Sequence, residues 1–198
     1  MQIKVGARLP APQSVDRAAF ARAIRRIGGQ MRLDGRTAIV TGAAQGIGAA
    51  VARAFAHAGA RVCIADRAPG RAEALAGELR AAGMAALGCA CDVARRDEVD
   101  ATVATVQARF GPVDILVNNA GVTRPAMLHR MTLPQWDEVL AVHLTGAFHC
   151  LQAVAPSMIE RRSGRIINVT STAGLLGTIG QINYGAAKAG IVGFTLSA

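Results

Sequence analysis

From residue 36 onward, short apolar runs recur along the chain, each separated from the next by a longer amphipathic stretch. The runs are "TAIVTG" (37–42), "RVCIAD" (61–66), "AALGCACD" (85–92), "VDILVNNAG" (113–121) and "RIINVTS" (165–171). Most are rich in Val and Ile, and none alternates with polar residues, the pattern of strands covered on both faces. The segments between them, roughly 46–59, 70–82, 95–110 and 133–161, read as helices by length and periodicity. The fourth opens on Thr132, Leu133, Pro134 and Gln135, which predicts a capping box with the proline in the first turn. Strand–helix alternation at this spacing predicts an α/β fold of right-handed βαβ units around a doubly wound parallel sheet.

Residues 1–30 follow a different rule. Phe20, Ile24 and Ile27 fall at i, i+4 and i+7, with Ser14 as a cap and Gly28-Gly29 as a stop, so a short basic amphipathic helix is expected. It reads as a targeting peptide, a surface tether, or an upstream arm preceding a natural start at Met31, because "MRLDGRTAIVTG" runs straight into the first strand. The expected division is therefore a basic extension over 1–30 and one nucleotide-binding domain over 31–198.

Composition narrows the classes. The 198 residues are 52% apolar and 18% charged, enough to bury a core. No uninterrupted run reaches the roughly 18 apolar residues of a membrane span, and the first residues lack a secretory apolar stretch. The net charge is +9, of which +5 lies in residues 1–30, without aromatic interleaving; neither a nucleic-acid nor a membrane partner is expected. Cys63, Cys89, Cys91 and Cys150 show no paired spacing and read as buried reduced thiols of a cytoplasmic protein. A metal on Cys89 and Cys91 would lack further ligands nearby, so no metal is expected.

The chemistry-bearing residues begin at the turn after the first run. In "TGAAQGIG", Gly42, Gly46 and Gly48 form G-x3-G-x-G between a strand and a helix. Missing side chains there let backbone N–H groups reach a pyrophosphate, and the helix turns its positive end towards it. Asp66 ends the second run, 18 residues after Gly48, near the place of a ribose-binding acid. It favours NAD by repelling a 2′-phosphate, while Arg67 beside it could grip that phosphate; a plain solvated turn acid is the alternative. Asp92 ends the third run, placed to meet the adenine, and "NNAG" (118–121) ends the fourth. Tyr184 and Lys188 stand four apart at the start of a last helix and so project from nearly one face. An ammonium near a phenol favours the phenolate.

With "TGAAQGIG", "CDV", "NNAG", a serine thirteen positions before a tyrosine, and "YGAAK" in this order, the sequence resembles the short-chain dehydrogenase/reductase family over about residues 33–198. Within it, the chain looks most similar to 3-oxoacyl-(acyl carrier protein) and acetoacetyl-CoA reductases. The resemblance implies a Rossmann fold binding NAD or NADP through Thr41, Gly42, Gln45, Gly46, Ile47, Gly48, Asp66, Arg67, Asp92, Val93, Asn119, Ala120, Gly121, Tyr184 and Lys188. It implies Tyr184 as the acid that protonates a carbonyl oxygen, Lys188 as its partner and ribose anchor, and Ser171 as a donor to the substrate oxygen. Thr170 and Thr172 flank Ser171, so spacing alone chooses among three hydroxyls.

One position departs from the family pattern: His143 in "LAVHLTGAF" stands where asparagine is usual and holds a relay water. A relay in altered form and a histidine bracing the helix are both open readings, whereas His129 and His149 read as surface or packing residues. The family sheet has seven strands and this sequence predicts five, so the fold is expected to be C-terminally incomplete, without the substrate lid. The fifth strand would then be an exposed edge, and residues 1–198 alone poorly active. Relatives pair through the fourth and fifth helices, which implies a homodimer or homotetramer. Arg161, Arg162 and Arg165 read either as an attraction for an acidic acyl carrier protein or as an ordinary solvated helix end. Three functions remain: reduction of a 3-oxoacyl thioester, oxidoreduction of another secondary alcohol, sugar or steroid, and a non-catalytic fragment that only binds nucleotide.

Overall fold

The computed structural model describes residues 32–198; the helix expected within residues 1–30 lies outside them. All five expected strands form: β1 (Thr37–Thr41), β2 (Arg61–Asp66), β3 (Ala86–Ala90), β4 (Ile115–Asn118) and β5 (Arg165–Asn168). They make one parallel sheet in the order β3-β2-β1-β4-β5, with Ile39 paired to Cys63 on one side and Leu116 on the other. β2 spans its whole apolar run, whereas the other four strands are shorter than theirs because the last residues of each run leave the ladder and turn into loops.

Helices α1 (Gly46–His57), α2 (Pro69–Ala81), α3 (Arg96–Phe110), α4 (Leu133–Leu140) and α5 (Gly146–Glu160) complete the two cover layers. Successive strand side chains point to opposite faces, which builds two cores from one sheet. Val40, Val62, Ile64 and Val117 pack with Ala52, Ala56, Leu75 and Leu79 of α1 and α2. Ile39, Cys63 and Leu116 pack on the other face with Val99, Val103 and Val106 of α3 and with Cys150 and Val154 of α5. Each fully buried branched side chain here contributes about 1.5–3 kcal/mol. All four cysteines are buried and unpaired.

The expected capping box forms: Thr132 Oγ1 accepts from Gln135 N, and Gln135 Oε1 accepts from Thr132 N at 2.9 Å. The sequence suggested one uniform helix over roughly 133–161, and the helix that the box opens departs from that. Ala141–Thr145 is a π-helical segment between α4 and α5, and it carries His143. Such wide turns are common at functional positions. The combined helix Leu133–Glu160 is 28 residues long with a mean hydropathy of 1.3 in its most apolar window, sufficient by length and composition alone for a membrane span. In the fold its inward residues Val139, His143, Ala147, Cys150, Val154 and Met158 are buried.

At the amino ends of the strands, Asp114 Oδ2 accepts from Thr37 N, and Oδ1 accepts from Arg161 Nη1 at 3.0 Å. Arg161 Nη2 also donates to Val113 O at 2.7 Å. This guanidinium, considered above for an acidic partner, is instead a half-buried clamp on the sheet. Beyond β5, α6 (Ala173–Leu176) is a short helix that periodicity had not suggested, and α7 (Ile182–Ser197) carries Tyr184 and Lys188.

Candidate active site

The strand order reverses between β1 and β4, and open α/β sheets bind ligands outside the carboxyl ends at that point. A crevice of about 520 Å³ lies there, lined among others by Gly42, Gln45, Asp66, Arg67, Asp92 and Val93. Ala120 and Gly121 close its other side. Eight of the expected cofactor residues thus share one wall-to-wall cleft.

The glycine turn explains how its backbone comes so close. Gly42 has φ +61°, and a Cβ there would stand 2.7 Å from the Ala120 Cα; a Cβ on Gly48 would meet the Gly42 carbonyl at 2.5 Å. Both contacts are with backbone, so neither position has room for a side chain. Thr41 and Asn119 lie behind the crevice. Thr41 Oγ1 donates to Val117 O and accepts from the N–H of Asn119 and Ala120, while Asn119 Nδ2 donates to the carbonyls of Thr41 and Gly42. These two side chains pin the first turn to the "NNAG" loop. Gly46 and Ile47 open α1, whose first N–H groups have no helical partner and form an anion cradle.

Asp66 is fixed as well as placed: Oδ2 accepts from Ala44 N at 3.0 Å and Oδ1 from Ala68 N at 2.9 Å. Each carboxylate oxygen keeps lone pairs for a further donor. Gln45 Oε1 accepts from Arg71 Nη1. Asp92 Oδ1 accepts from Ala94 N, which orients its carboxylate at the rim.

On the other side, α6 and α7 pack so closely that a Cβ on Gly174 would lie 2.6 Å from the Lys188 carbonyl carbon. That contact lays the segment holding Ser171 along the helix of Tyr184. Ser171 Oγ accepts from Ala173 N, which leaves its own O–H as a donor, and Thr170 Oγ1 is spent on the Lys188 carbonyl. The choice among three hydroxyls therefore loses Thr170 on structural grounds. Lys188 Nζ donates to Val169 O at 2.6 Å and lies 5.7 Å from the centre of the Tyr184 ring. Burial holds the Lys188 ammonium down at about 8.

His143 links the two sides. Its ring meets the Tyr184 ring edge-on with centroids 5.2 Å apart, and its Nε2 lies 2.8 Å from Val122 O and 3.1 Å from Val122 N. Gly121 lies flat against it, with 2.4 Å from a would-be Cβ to His143 Cε1. Burial, aided by the nearby Lys188 charge, pushes His143 down to about 4, so it is neutral near pH 7.

Four residues escaped the sequence reading. Cys91, Val122 and Val142 line the crevice, each next to a residue that was singled out. Asn183 is fully buried: Nδ2 donates to the carbonyls of Arg124 and Gln135, and Oδ1 accepts from Tyr184 N. Its only sequence signal was adjacency to Tyr184.

A glycine turn under a reversing parallel sheet, with a fixed acid at the end of β2, defines a Rossmann-type nucleotide-binding domain. A family model described as short chain dehydrogenase matches residues 36–198, and the chain belongs to that family. It is 46% identical over 164 residues to a 3-oxoacyl-[acyl-carrier-protein] reductase of Synechocystis, covering 82% of this chain and 66% of that protein. It is 43% identical to the 3-oxoacyl-[acyl-carrier-protein] reductase FabG of Staphylococcus epidermidis and to that of Staphylococcus aureus, covering 82% of this chain and 67% of each. The chain spans about two thirds of the length of the curated relatives it matches.

Proposed function

We propose that the protein is an NAD(P)-dependent oxidoreductase that reduces a 3-oxoacyl thioester to the 3-hydroxyacyl form. The observation that carries this reading is the single assembly running from the crevice through Val122 and His143 to Tyr184 and Lys188. A reduced nicotinamide held by the residues lining the crevice would supply the hydride to the carbonyl carbon. Tyr184 gives its phenolic proton to the carbonyl oxygen, and the Ser171 O–H donates to that same oxygen as negative charge grows on it. Lys188 below its value of about 8 carries the positive charge that favours the phenolate left on Tyr184 as its proton departs, so reduction slows as pH rises through that value.

The names of the relatives support a thioester carried on acyl carrier protein as substrate. Asp66, held from two sides at the ribose end of the crevice, favours NAD over NADP despite Arg67. The exposed Phe148 and Ile159 on α5 support pairing into a dimer or tetramer, and four buried unpaired thiols support a cytoplasmic setting.

The test is NADH fluorescence titration together with NADH consumption on acetoacetyl-CoA. Tyr184→Phe is expected to cut turnover by about 10²–10⁴-fold while NADH binding stays within a few-fold. Unchanged turnover in that variant overturns the assignment, and NADH consumption only on a keto sugar or ketosteroid transfers it to another substrate class.

A further inference from the structure

Helix α7 opens without help from its cap. Gln181 makes no side-chain hydrogen bond to the first turn, and the first helical bond runs from Gly185 N to Gln181 O at 2.8 Å. The N–H of Tyr184 lies ahead of that bond, among the donors that a helix leaves without an internal partner. It is met by its neighbour: Asn183 Oδ1 accepts it at 2.8 Å. The other end of the same amide is equally committed. Nδ2 gives one hydrogen to Arg124 O at 3.0 Å and the other to Gln135 O at 2.9 Å.

Both donors and the acceptor of this side chain are therefore used, and none of its surface is exposed. The partners fix its orientation, since two carbonyls must face the NH₂ and one N–H must face the oxygen. Aspartate would set an oxygen against both carbonyls, and serine has a single donor. The partners also come from separate stretches. Arg124 lies in the loop after β4, with its guanidinium tied to Glu138 of α4 at 2.6 Å. Gln135 is the residue whose side chain closes the capping box. Ala126 N donates to Gly180 O at 2.9 Å, a second tie between that loop and the approach to α7. Among the described residues the Tyr184 hydroxyl has no hydrogen-bond partner, so backbone and packing set the place of the ring.

We propose that Asn183 is a positioning residue for Tyr184. It hangs the first turn of α7 from the loop after β4 and from α4, and so sets where the phenol stands beside His143 and Lys188. Asn183, Arg124 and Gln135 all lie outside the lining of the nucleotide crevice, so the amide acts on the phenol and not on the cofactor's place. The inference deepens the proposed reaction and rests on it only for turnover.

Tyr184 is the single tyrosine of the chain, so its ring resonances identify themselves. On the whole chain, nuclear Overhauser contacts between the Tyr184 and His143 rings are expected in the parent and expected to be lost in Asn183→Ala. In that variant kcat on acetoacetyl-CoA is expected to fall about 10–100-fold while the Kd for NADH stays within a few-fold. A merely structural amide would lower the unfolding midpoint and leave the ring contact of the folded protein intact. An intact ring contact in Asn183→Ala, or a kcat equal to that of an active parent, therefore overturns the proposal. If Asn183→Ala does not fold, Asn183→Ser, whose one hydroxyl serves at most one carbonyl, decides by the same contact. In the parent, both Nδ2 hydrogens are expected to exchange slowly with water; fast exchange of either overturns the proposal whether or not the variants fold. If the parent consumes no NADH on acetoacetyl-CoA, the proposed reaction fails and the ring contact alone decides the role of Asn183.

Discussion

The two flanks of the sheet are built from similar apolar runs and end in opposite surroundings. Around β1, β2 and β4 nearly every residue is buried, and helices cover both faces. At β5 the run "RIIN" is just as apolar at its centre, yet Ile166 is 36% and Ile167 45% exposed, with Leu175, Leu176 and Ile179 exposed beyond it. Among the described residues β5 pairs with β4 alone. The cofactor crevice thus stands on a flank braced from both faces, whereas Ser171 follows a strand whose side chains are largely uncovered. Identical hydrophobicity is worth kilocalories in one place and little in the other, because the benefit comes from apolar area removed from water and not from residue type.

The largest expected break of this contrast is at the glycine turn. Gly42→Val places a branched side chain at φ +61° and into the Ala120 backbone. Loss of NADH binding by at least about 10²-fold is expected by fluorescence titration, since the turn must move away from the crevice it lines. Binding within a few-fold of the parent would show that the turn is dispensable. Next comes one substitution made on both flanks. Ile64→Ala, at a fully buried site in β2, is expected to cost about 2–5 kcal/mol in urea unfolding, and Ile167→Ala less than about 1 kcal/mol. Equal costs would mean that β5 is covered in solution.

The seam between the flanks gives an effect that grows only towards acid pH. His143 is held at about 4 when folded, below the ordinary 6.5 of an unfolded histidine. The unfolded chain therefore binds a proton there between those values that the folded chain does not. Stability is complete above about pH 6.5 and falls towards pH 4, by up to about 3 kcal/mol from this one ring. Replacing His143 by Asn should flatten that part of the acid limb relative to the parent, and an unchanged limb would place the ring in water.

The capping box at Thr132 and Gln135 was legible because its contacts lie within a few residues, and the glycine turn and the acids closing β2 and β3 because they follow apolar runs at a recognisable spacing, although Gly42 and Asp66 also answer to distant backbone. Thr41 and Asn119 were legible as members of a motif but not as to their duty. Only the fold shows that their polar groups hold the turn from behind. The short α6, the π-helical segment at His143 and the role of Asn183 left no periodic trace, since each answers to partners tens of residues away.

The sequence by itself determined the parallel α/β architecture, the order of its elements and the residues that meet at the carboxyl ends of the strands. Period and turn chemistry are local, and a parallel sheet admits few ways to arrange them. The tertiary structure alone decided which polar groups face the crevice and which are spent on backbone. It also decided which ring nitrogen of His143 is occupied and how much of β5 meets water. Those outcomes depend on who stands opposite in space, which the order of residues along a chain does not record.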